Sequence, residues 1–434
     1  MHQRREETHR QLPLAWAVVI GLALCVISAD AAAQSPRSND RGGFAGPVGD
    51  NARVVGSNPS AMGTVDGISL DLHHTLQLRS QTVETGGESA DMFALQSDPS
   101  VAFASDLGTR LFHAGFIGSV PRRYGSSWPT DGPQRYDSIF HRVRDIEFTG
   151  AVSFSPLDWL HVGASASFIQ AEYRSYRAVD MGPIVARQEG VDPQSVPRQM
   201  PGNEGREFLD FNGRTFGWSA GVTFTPGKFR IGAAYHGAVP LDLEGSYELY
   251  VPRNDYYRER YRGDINRDAR LETRWPGRLT AGVAWKFGPD GEIFANAGWT
   301  RWSSVDELVV DVAEEGSGRS FDRRESLDLQ DPFSLRLGGL LQPWNWLAFD
   351  ATLGVETSAV PASALTARVV DLPQTSAAVG ARWRIVDGIT LRTGYQHVLY
   401  IGRATDPESD QPGTAGEYGH NLGLVETSLM FELP

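Results

Sequence analysis

Apolar and polar residues alternate along most of the chain beyond residue 65. In the stretch WLAFDATLGVE (346–356), Leu347, Phe349 and Leu353 fall on one face and Asp350 falls on the other. Because successive side chains of a strand point to opposite sides, this period of two predicts β-strands rather than helices. The same alternation recurs in 68–80, 278–287 and 425–433.

Segments of this kind predict about fourteen strands, an even number, as a single-chain bacterial barrel has. The predicted strands are 66–80, 98–105, 108–120, 143–155, 158–171, 211–225, 228–241, 271–287, 292–304, 332–342, 346–357, 374–386, 388–401 and 421–433.

The connections separate two environments that both produce alternation, a soluble β-sandwich and an outer-membrane β-barrel. Short turns, such as 155–158 and 387–388, alternate along the chain with long polar links. A transmembrane barrel has short periplasmic turns and long outer loops. A sandwich gives no reason for this order. The predicted long links are 81–97, 122–141, 173–210, 243–269, 306–331, 359–372 and 402–420.

The polar face of the strands also favours the barrel. Arg382 and Arg384 alternate with Val379 and Trp383, and small residues share the polar side. A face that mixes charges with small residues suits a polar lumen, while the apolar face suits lipid. The predicted fold class is therefore an all-β, antiparallel, fourteen-stranded transmembrane barrel spanning residues 65–434.

The first residues predict export. Arginines at the start precede the apolar run LPLAWAVVIGLALCVIS, and small residues at Ala31 and Ala33 follow it. This order is typical of a secretory signal peptide, here residues 1–33, and the alternative of a membrane anchor is weakened by the shortness of the run. The only cysteine, Cys25, lies inside the leader. The mature chain therefore has no disulfide framework.

Residues 34–64 carry no alternation and are rich in glycine. They are predicted either to be a disordered tail or to fold into the lumen as a hatch, that is, a plug, because a barrel of about fourteen strands leaves a lumen to fill. The segment ends on Asn58-Pro59-Ser60, where Asn58 suits a helix N-cap and Pro59 suits the first helical position.

This corner resembles the Asn-Pro-Ala motif that ends the hatch in the FadL/TodX (OMPP1) family of outer-membrane transporters of hydrophobic compounds. The glycine-rich stretch before it and the stretches 274–287, 331–361 and 371–400 resemble family segments in the same order. Ser60 stands where the family motif has alanine. The resemblance implies a hatch-plugged barrel, ligand capture at the outer loops, an inner site, and sideways exit through a gap beside a kinked third strand.

Candidate binding and gating residues follow from the resemblance and from the strand and loop pattern. The resemblance makes Asn58, Pro59 and Ser60 gating residues, and it makes Gly115 a possible kink in strand three; the alternative is an ordinary wall glycine. Apolar hatch residues are candidates for ligand contact: Phe44, Val54, Val55 and Met62. Inward arginines are candidates for binding a carboxylate, or for pairing with Asp350 and Glu356: Arg336, Arg382, Arg384 and Arg392. Apolar residues of the third and fourth long links are candidates for a capture patch, or for packing the loops together: Met181, Ile184, Val185 and Tyr250.

Charge and missing motifs narrow the function. The formal net charge is −13, which argues against a nucleic-acid partner. Motifs for phosphate binding, zinc proteolysis or a nucleophile elbow do not occur, so no enzyme activity, metal or cofactor is expected. The leading hypothesis is passive transport of hydrophobic small molecules, such as fatty acids or hydrocarbons, across the bacterial outer membrane. The alternatives are a water-filled porin for polar solutes and an outer-membrane lipase or protease. Expected partners are a hydrophobic small-molecule ligand, outer-membrane lipid and, during biogenesis, the barrel-assembly machinery.

Overall fold

The computed structural model describes residues 46–49, 51–192, 195, 200–261, 264–288, 290–313, 320–405 and 415–433. The predicted signal peptide and Phe44 lie outside these ranges. Short helices are α1 (Val54–Ser57), α2 (Met181–Gln188) and α3 (Asp255–Tyr261), and a 3₁₀ helix spans Pro59–Thr64. Among the described residues, no helix is both long enough and apolar enough to cross a membrane.

Fourteen antiparallel strands form the sheet of the described chain, and several of them are interrupted once. β14 pairs with β13 on one side and with β1 on the other, so the sheet closes into a barrel. The strands are β1 (Ile68–Thr85), β2 (Glu88–Ser105), β3 (Phe112–Ser119 and Arg123–Ser127), β4 (Phe140–Leu157), β5 (Leu160–Asp180), β6 (Glu204–Phe224), β7 (Phe229–His236 and Val239–Tyr250), β8 (Ile265–Trp275 and Arg278–Phe287), β9 (Gly291–Thr300 and Glu307–Ala313), β10 (Ser320–Ser326 and Phe333–Trp344), β11 (Leu347–Glu356), β12 (Gln374–Val386), β13 (Ile389–Tyr400 and Arg403–Ala404) and β14 (Glu417–Leu433).

The predicted barrel and its strand number are confirmed, as is the direction of the faces. On β11, Phe349 and Leu353 are exposed on the outside, whereas Asp350 is buried on the inside. The same holds on β8, where Leu279 and Val283 face out and Thr280 faces in. An outer surface of this kind requires an apolar solvent.

Several of the predicted outer links are wrong, because the strands extend into them. Residues 81–97 belong mostly to a continuous β1–β2 hairpin, whose two-residue turn is Gly86-Gly87 with φ of 62° and 82°. Both positions require positive φ, which glycine adopts without strain. Most of 173–210 and 243–269 is likewise strand. The barrel therefore extends well above the predicted strand ends.

β3 is interrupted at residues 120–122, which include Pro121. Below the interruption β3 pairs with β2 through residues 114–118; above it, residues 123–127 pair with β4. In the described chain, β2 residues 88–100 therefore pair on the β1 side alone. Proline lacks the N–H that a ladder needs, which explains the place of the break. The break does not fall at Gly115, the glycine considered for a kink.

Candidate transport path

An apolar cavity of about 270 Å³ lies inside the upper part of the barrel. Its wall includes Leu241 and Leu271 from the barrel strands, Leu308 from the upper part of β9, and the rings of Trp275 and Trp302. Trp275 and Trp302 meet edge to face, with 6.2 Å between ring centroids. The largest buried apolar cluster surrounds this cavity. The cavity is thus a preformed space with a mostly apolar wall.

A second cavity, of about 210 Å³, lies below the first, and Trp275, Trp302 and Ala359 line both. Its wall is far more polar and includes Arg53, His73, Gln77, Glu147, Arg278 and Arg336. We call the two spaces the apolar cavity and the polar chamber. Because they share the two tryptophans and Ala359, the two cavities are adjacent inside the barrel.

The polar chamber reaches the edge of the barrel where β3 is interrupted. Its wall includes Asp98, Pro99 and Ser100, from the part of β2 that pairs with β1 but not with β3, and Val120 and Pro121 from the break in β3. The chamber thus touches the one place along the β2–β3 seam where the described ladder stops.

One arginine ties the two sides of this seam together. Arg123 Nη1 donates to Ser97 O at 3.0 Å and lies 2.9 Å from Asp98 Oδ1. Asp98 also accepts hydrogen bonds from the side chains of Gln77 and Gln96. Sequence reasoning did not identify Arg123, because its partner is 25 residues away across a seam that the predicted strands did not show.

The N-terminal segment, residues 46–49 and 51–67, forms the floor of the chamber. Asn58 is fully buried, and its Nδ2 donates to Pro47 O at 2.8 Å and to Thr223 Oγ1 of β6 at 3.0 Å. Its Oδ1 accepts from Ser60 N at 3.2 Å and from Ser60 Oγ at 2.7 Å. The capping geometry predicted for Asn58 and Pro59 is present. It fixes the segment to the wall as well as capping the 3₁₀ helix.

Wall glycines allow this close approach. A Cβ on Gly163 of β5 would lie 2.5 Å from the carbonyl carbon of Pro59, and one on Gly115 of β3 would lie 2.5 Å from Val55 Cγ2. Val54, Val55 and Met62 are completely buried against Ala and Ile side chains of β2, β3 and β4. The structure therefore places these residues in the packing between segment and wall.

Three of the candidate arginines separate into two groups. Arg392 is buried with its Nη2 2.9 Å from Asp350 Oδ1 and its Nη1 2.9 Å from Glu426 Oε2, and Arg382 Nε lies 3.8 Å from Asp350 Oδ2. Both arginines are therefore ion-paired with carboxylates, which was the alternative to ligand binding. Arg336 instead lines the polar chamber and has no ion pair among the described residues.

The candidate capture residues lie away from the apolar cavity. Met181 and Val185 of α2 are buried in a small cluster with residues of the β7 end and α3, which is the loop-packing alternative. Ile184 and Tyr250 are exposed. Tyr250 is the last residue of β7, and not a loop residue. The cavity walls are formed largely by residues that sequence reasoning had placed in loops or left unassigned.

A closed barrel with an apolar outer face and a lumen occupied by its own N-terminal segment is a membrane-spanning transport protein in its architecture. The chain belongs to the outer membrane transport protein family (OMPP1/FadL/TodX), whose model matches residues 31–415. A search of curated proteins found no match.

Three solved structures illustrate the shared fold. The Pseudomonas aeruginosa FadL homologue has a TM-score of 0.82 at 16% identity, covering 93% of this chain and 100% of its own. The Ralstonia pickettii toluene transporter TbuX has a TM-score of 0.67 at 16% identity, covering 92% and 97%. The Pseudomonas putida toluene transporter TodX has a TM-score of 0.68 at 14% identity, covering 90% and 96%.

Proposed function

We propose that this protein takes up hydrophobic small molecules, such as fatty acids or monoaromatic hydrocarbons, across the outer membrane without an energy source. The observation that carries the proposal is the apolar cavity around Trp275 and Trp302, within the extended upper barrel. A 150 Å³ apolar cavity is enough to hold benzene, and this one is larger. Each buried CH₂ contributes about 0.8 kcal/mol, so such a site attracts an apolar solute that a water-filled pore does not.

The proposed route leaves the apolar cavity through the polar chamber and exits sideways at the β2–β3 seam. Supporting this, the chamber touches both the tryptophans and residues 98–100, which have no ladder partner on the β3 side in the described chain. The N-terminal segment blocks the straight path below, because Asn58 and Ser60 bond to the wall there. We also propose that residues 34–64 act as the hatch of the family, with Asn58, Pro59 and Ser60 fixing its position.

Uptake measurements in whole cells test the proposal. Cells that express the protein are expected to accumulate labelled long-chain fatty acid or toluene faster than cells without it, and a small sugar at the background rate. Sugar flux without uptake of either hydrophobic probe would favour the water-filled porin instead.

Two aspartate substitutions test where capture occurs. Leu308→Asp places a charge in the cavity wall and is expected to lower uptake at least tenfold. The matched variant Ile184→Asp changes an exposed residue of α2 and is expected to leave uptake unchanged. A loss confined to Ile184→Asp would move the capture site to the outer loops.

The exit is tested by two tryptophan substitutions in the polar chamber. Ser119→Trp adds bulk beside the break in β3, and Ser334→Trp adds the same bulk on β10. Sideways exit predicts that the first variant lowers hydrophobic uptake far more than the second. Equal rates in the two variants would contradict an exit at this seam.

A further inference from the structure

Three neighbouring strands carry two aromatic rows on their outward faces. The register pairs Phe148 of β4 with Phe168 of β5, and Phe168 with Phe216 of β6. Higher up, it pairs Phe140 with Tyr176 and Tyr176 with Phe208, and the last two rings stack at 4.1 Å. The outward surface between these rows is not apolar.

Four arginines lie in the space between the two rows, and we call Arg142, Arg144, Arg174 and Arg214 the arginine band. Arg142 Nη2, Arg144 Nη2 and Arg174 Nε converge on the single carboxylate of Glu172 at 2.6, 2.6 and 2.9 Å. Asp210 accepts a second contact from Arg174 at 3.1 Å. Four positive and two negative groups leave a net charge of +2.

The height of the band corresponds to the outer headgroup region. Arg144 is ten residues above Phe154, which lies near the periplasmic end of β4. At roughly 3.3 Å per residue and a strand tilt of about 40°, that distance is about 25 Å along the barrel axis, the height of the apolar belt of such barrels. Arg144 therefore emerges where hydrocarbon gives way to polar headgroups.

The balance of outward charge changes from positive to negative beyond β6. One continuous row of the sheet runs from Arg144 through Glu172 and Asn212 to Glu244 of β7 and Arg270 of β8. Beyond Asn212 the outward residues near this row are mostly acidic: Asp242, Glu244, Asp268 and Glu272, with Arg270 among them.

We propose that the arginine band binds the phosphate groups of a phosphorylated glycolipid in the outer leaflet, with its acyl chains on the aromatic row below. A guanidinium has five N–H donors in a planar fork that matches phosphate oxygens, and Glu172 supplies two oxygens for three such forks. The side chains of Arg144 and Arg174 remain partly exposed, at 24% and 46%. The converging carboxylate holds the three arginines side by side, and the surplus charge attracts the anion.

Native mass spectrometry of the detergent-purified protein with bisphosphorylated lipid A tests this proposal. The variant Arg144→Gln/Arg174→Gln is expected to retain at least tenfold less of the lipid than the unmodified protein. Arg270→Gln removes a charge from the same row on the acidic side and is expected to retain as much as the unmodified protein. Lipid A without phosphates is expected to be retained poorly by all three proteins.

Two results would overturn the assignment: retention in the double variant within twofold of the unmodified protein, or equal retention of the phosphate-free lipid. Arg142 is left unchanged because it is nearly buried, with its guanidinium over the Phe140 ring at 5.7 Å. Heat-dependent gel migration verifies that each variant forms a closed barrel. Uptake of hydrophobic probes is not part of this test, so its outcome is independent of the proposed transport function.

Discussion

Replacing Asn58 by alanine is expected to detach the N-terminal segment while leaving the barrel closed. The Asn58 side chain joins three parts of the molecule: Pro47 at the start of the segment, Ser60 in the 3₁₀ helix, and Thr223 on the wall. No bond of the barrel ladder passes through it. The substitution therefore separates the stability of the segment from that of the sheet.

The size of the effect follows from which groups lose a partner. Pro47 O and Ser60 N each lose the hydrogen bond described for them, whereas Ser60 Oγ and Thr223 Oγ1 keep each other at 2.7 Å. A buried polar group left without a partner costs about 1–3 kcal/mol. Two such groups give about 3 kcal/mol, which corresponds to roughly a 100-fold rise in the open population of the segment.

Hydrogen–deuterium exchange of the protein in detergent micelles measures this rise directly. Amides of residues 51–67 are expected to exchange on the order of 100-fold faster in Asn58→Ala, and amides of β11 at the unchanged rate. Ser57→Ala is the matched control within the same segment. Its hydroxyl donates to Gly46 O, which keeps a bond from Gly49 N, so about 1 kcal/mol or less is expected.

Hydrophobic uptake is expected to fall in Asn58→Ala, because the proposed route needs the segment to close the chamber floor. Equal exchange rates in Asn58→Ala and Ser57→Ala would refute the role given to the asparagine. Faster exchange throughout the strands would also refute it, since it would mean that Asn58 supports the barrel and not the segment alone.

Three further substitutions test the wall, the seam and the buried charges. Gly163→Ala places a methyl group 2.5 Å from the backbone of the N-terminal segment; it should raise ion conductance in planar bilayers, and Gly150→Ala, which meets nothing within 4 Å, should not. Arg123→Gln removes the ion pair across the β2–β3 seam, so amides of residues 88–100 should exchange faster, by the equivalent of about 1–3 kcal/mol; unchanged exchange would show that the pair does not hold the edge. Arg392→Gln leaves buried Glu426 without its described cation and Asp350 with the more distant Arg382 alone, and it should lower the free energy of unfolding in denaturant by about 3–5 kcal/mol. Arg336→Gln, which breaks no described ion pair, should cost less than about 1 kcal/mol, and equal losses in the two variants would contradict the assignment.

The lower barrel was predictable because its surroundings impose one rule on every strand. Lipid outside and a polar lumen inside require alternation in a fixed phase, and Phe349 against Asp350 on β11 is an example. Strand number, turn positions and the short helical corner at Asn58 all follow from local signals of this kind. These features needed no knowledge of which strands are neighbours.

The upper barrel was not predictable from the same rule because the phase inverts. On the single strand β6, Phe216 and Trp218 face outward and are exposed, whereas Leu209 and Phe211 face inward and are buried. Above the apolar belt the solvent outside is water, and the apolar residues turn to the lumen. A segment that changes phase has weak average alternation, so it is mistaken for a polar link. The apolar cavity was therefore missed, because much of its wall lies in upper strand ends and links that were predicted as polar loops.

Because the apolar residues of the upper barrel face the lumen, the cavity and the chamber below it differ in polarity along the proposed route. An apolar ligand gains by entering the cavity around Trp275, and it loses part of that gain in the polar chamber, whose wall includes charged side chains such as Arg336. Through the chamber floor it would meet the buried polar contacts of Asn58. At the β2–β3 seam it would meet the apolar outer surface, where Phe93 and Leu95 of β2 are exposed. On the proposed route the sideways step would then be the downhill one, and Arg123, which bridges that seam, is the residue whose removal should change the release rate most.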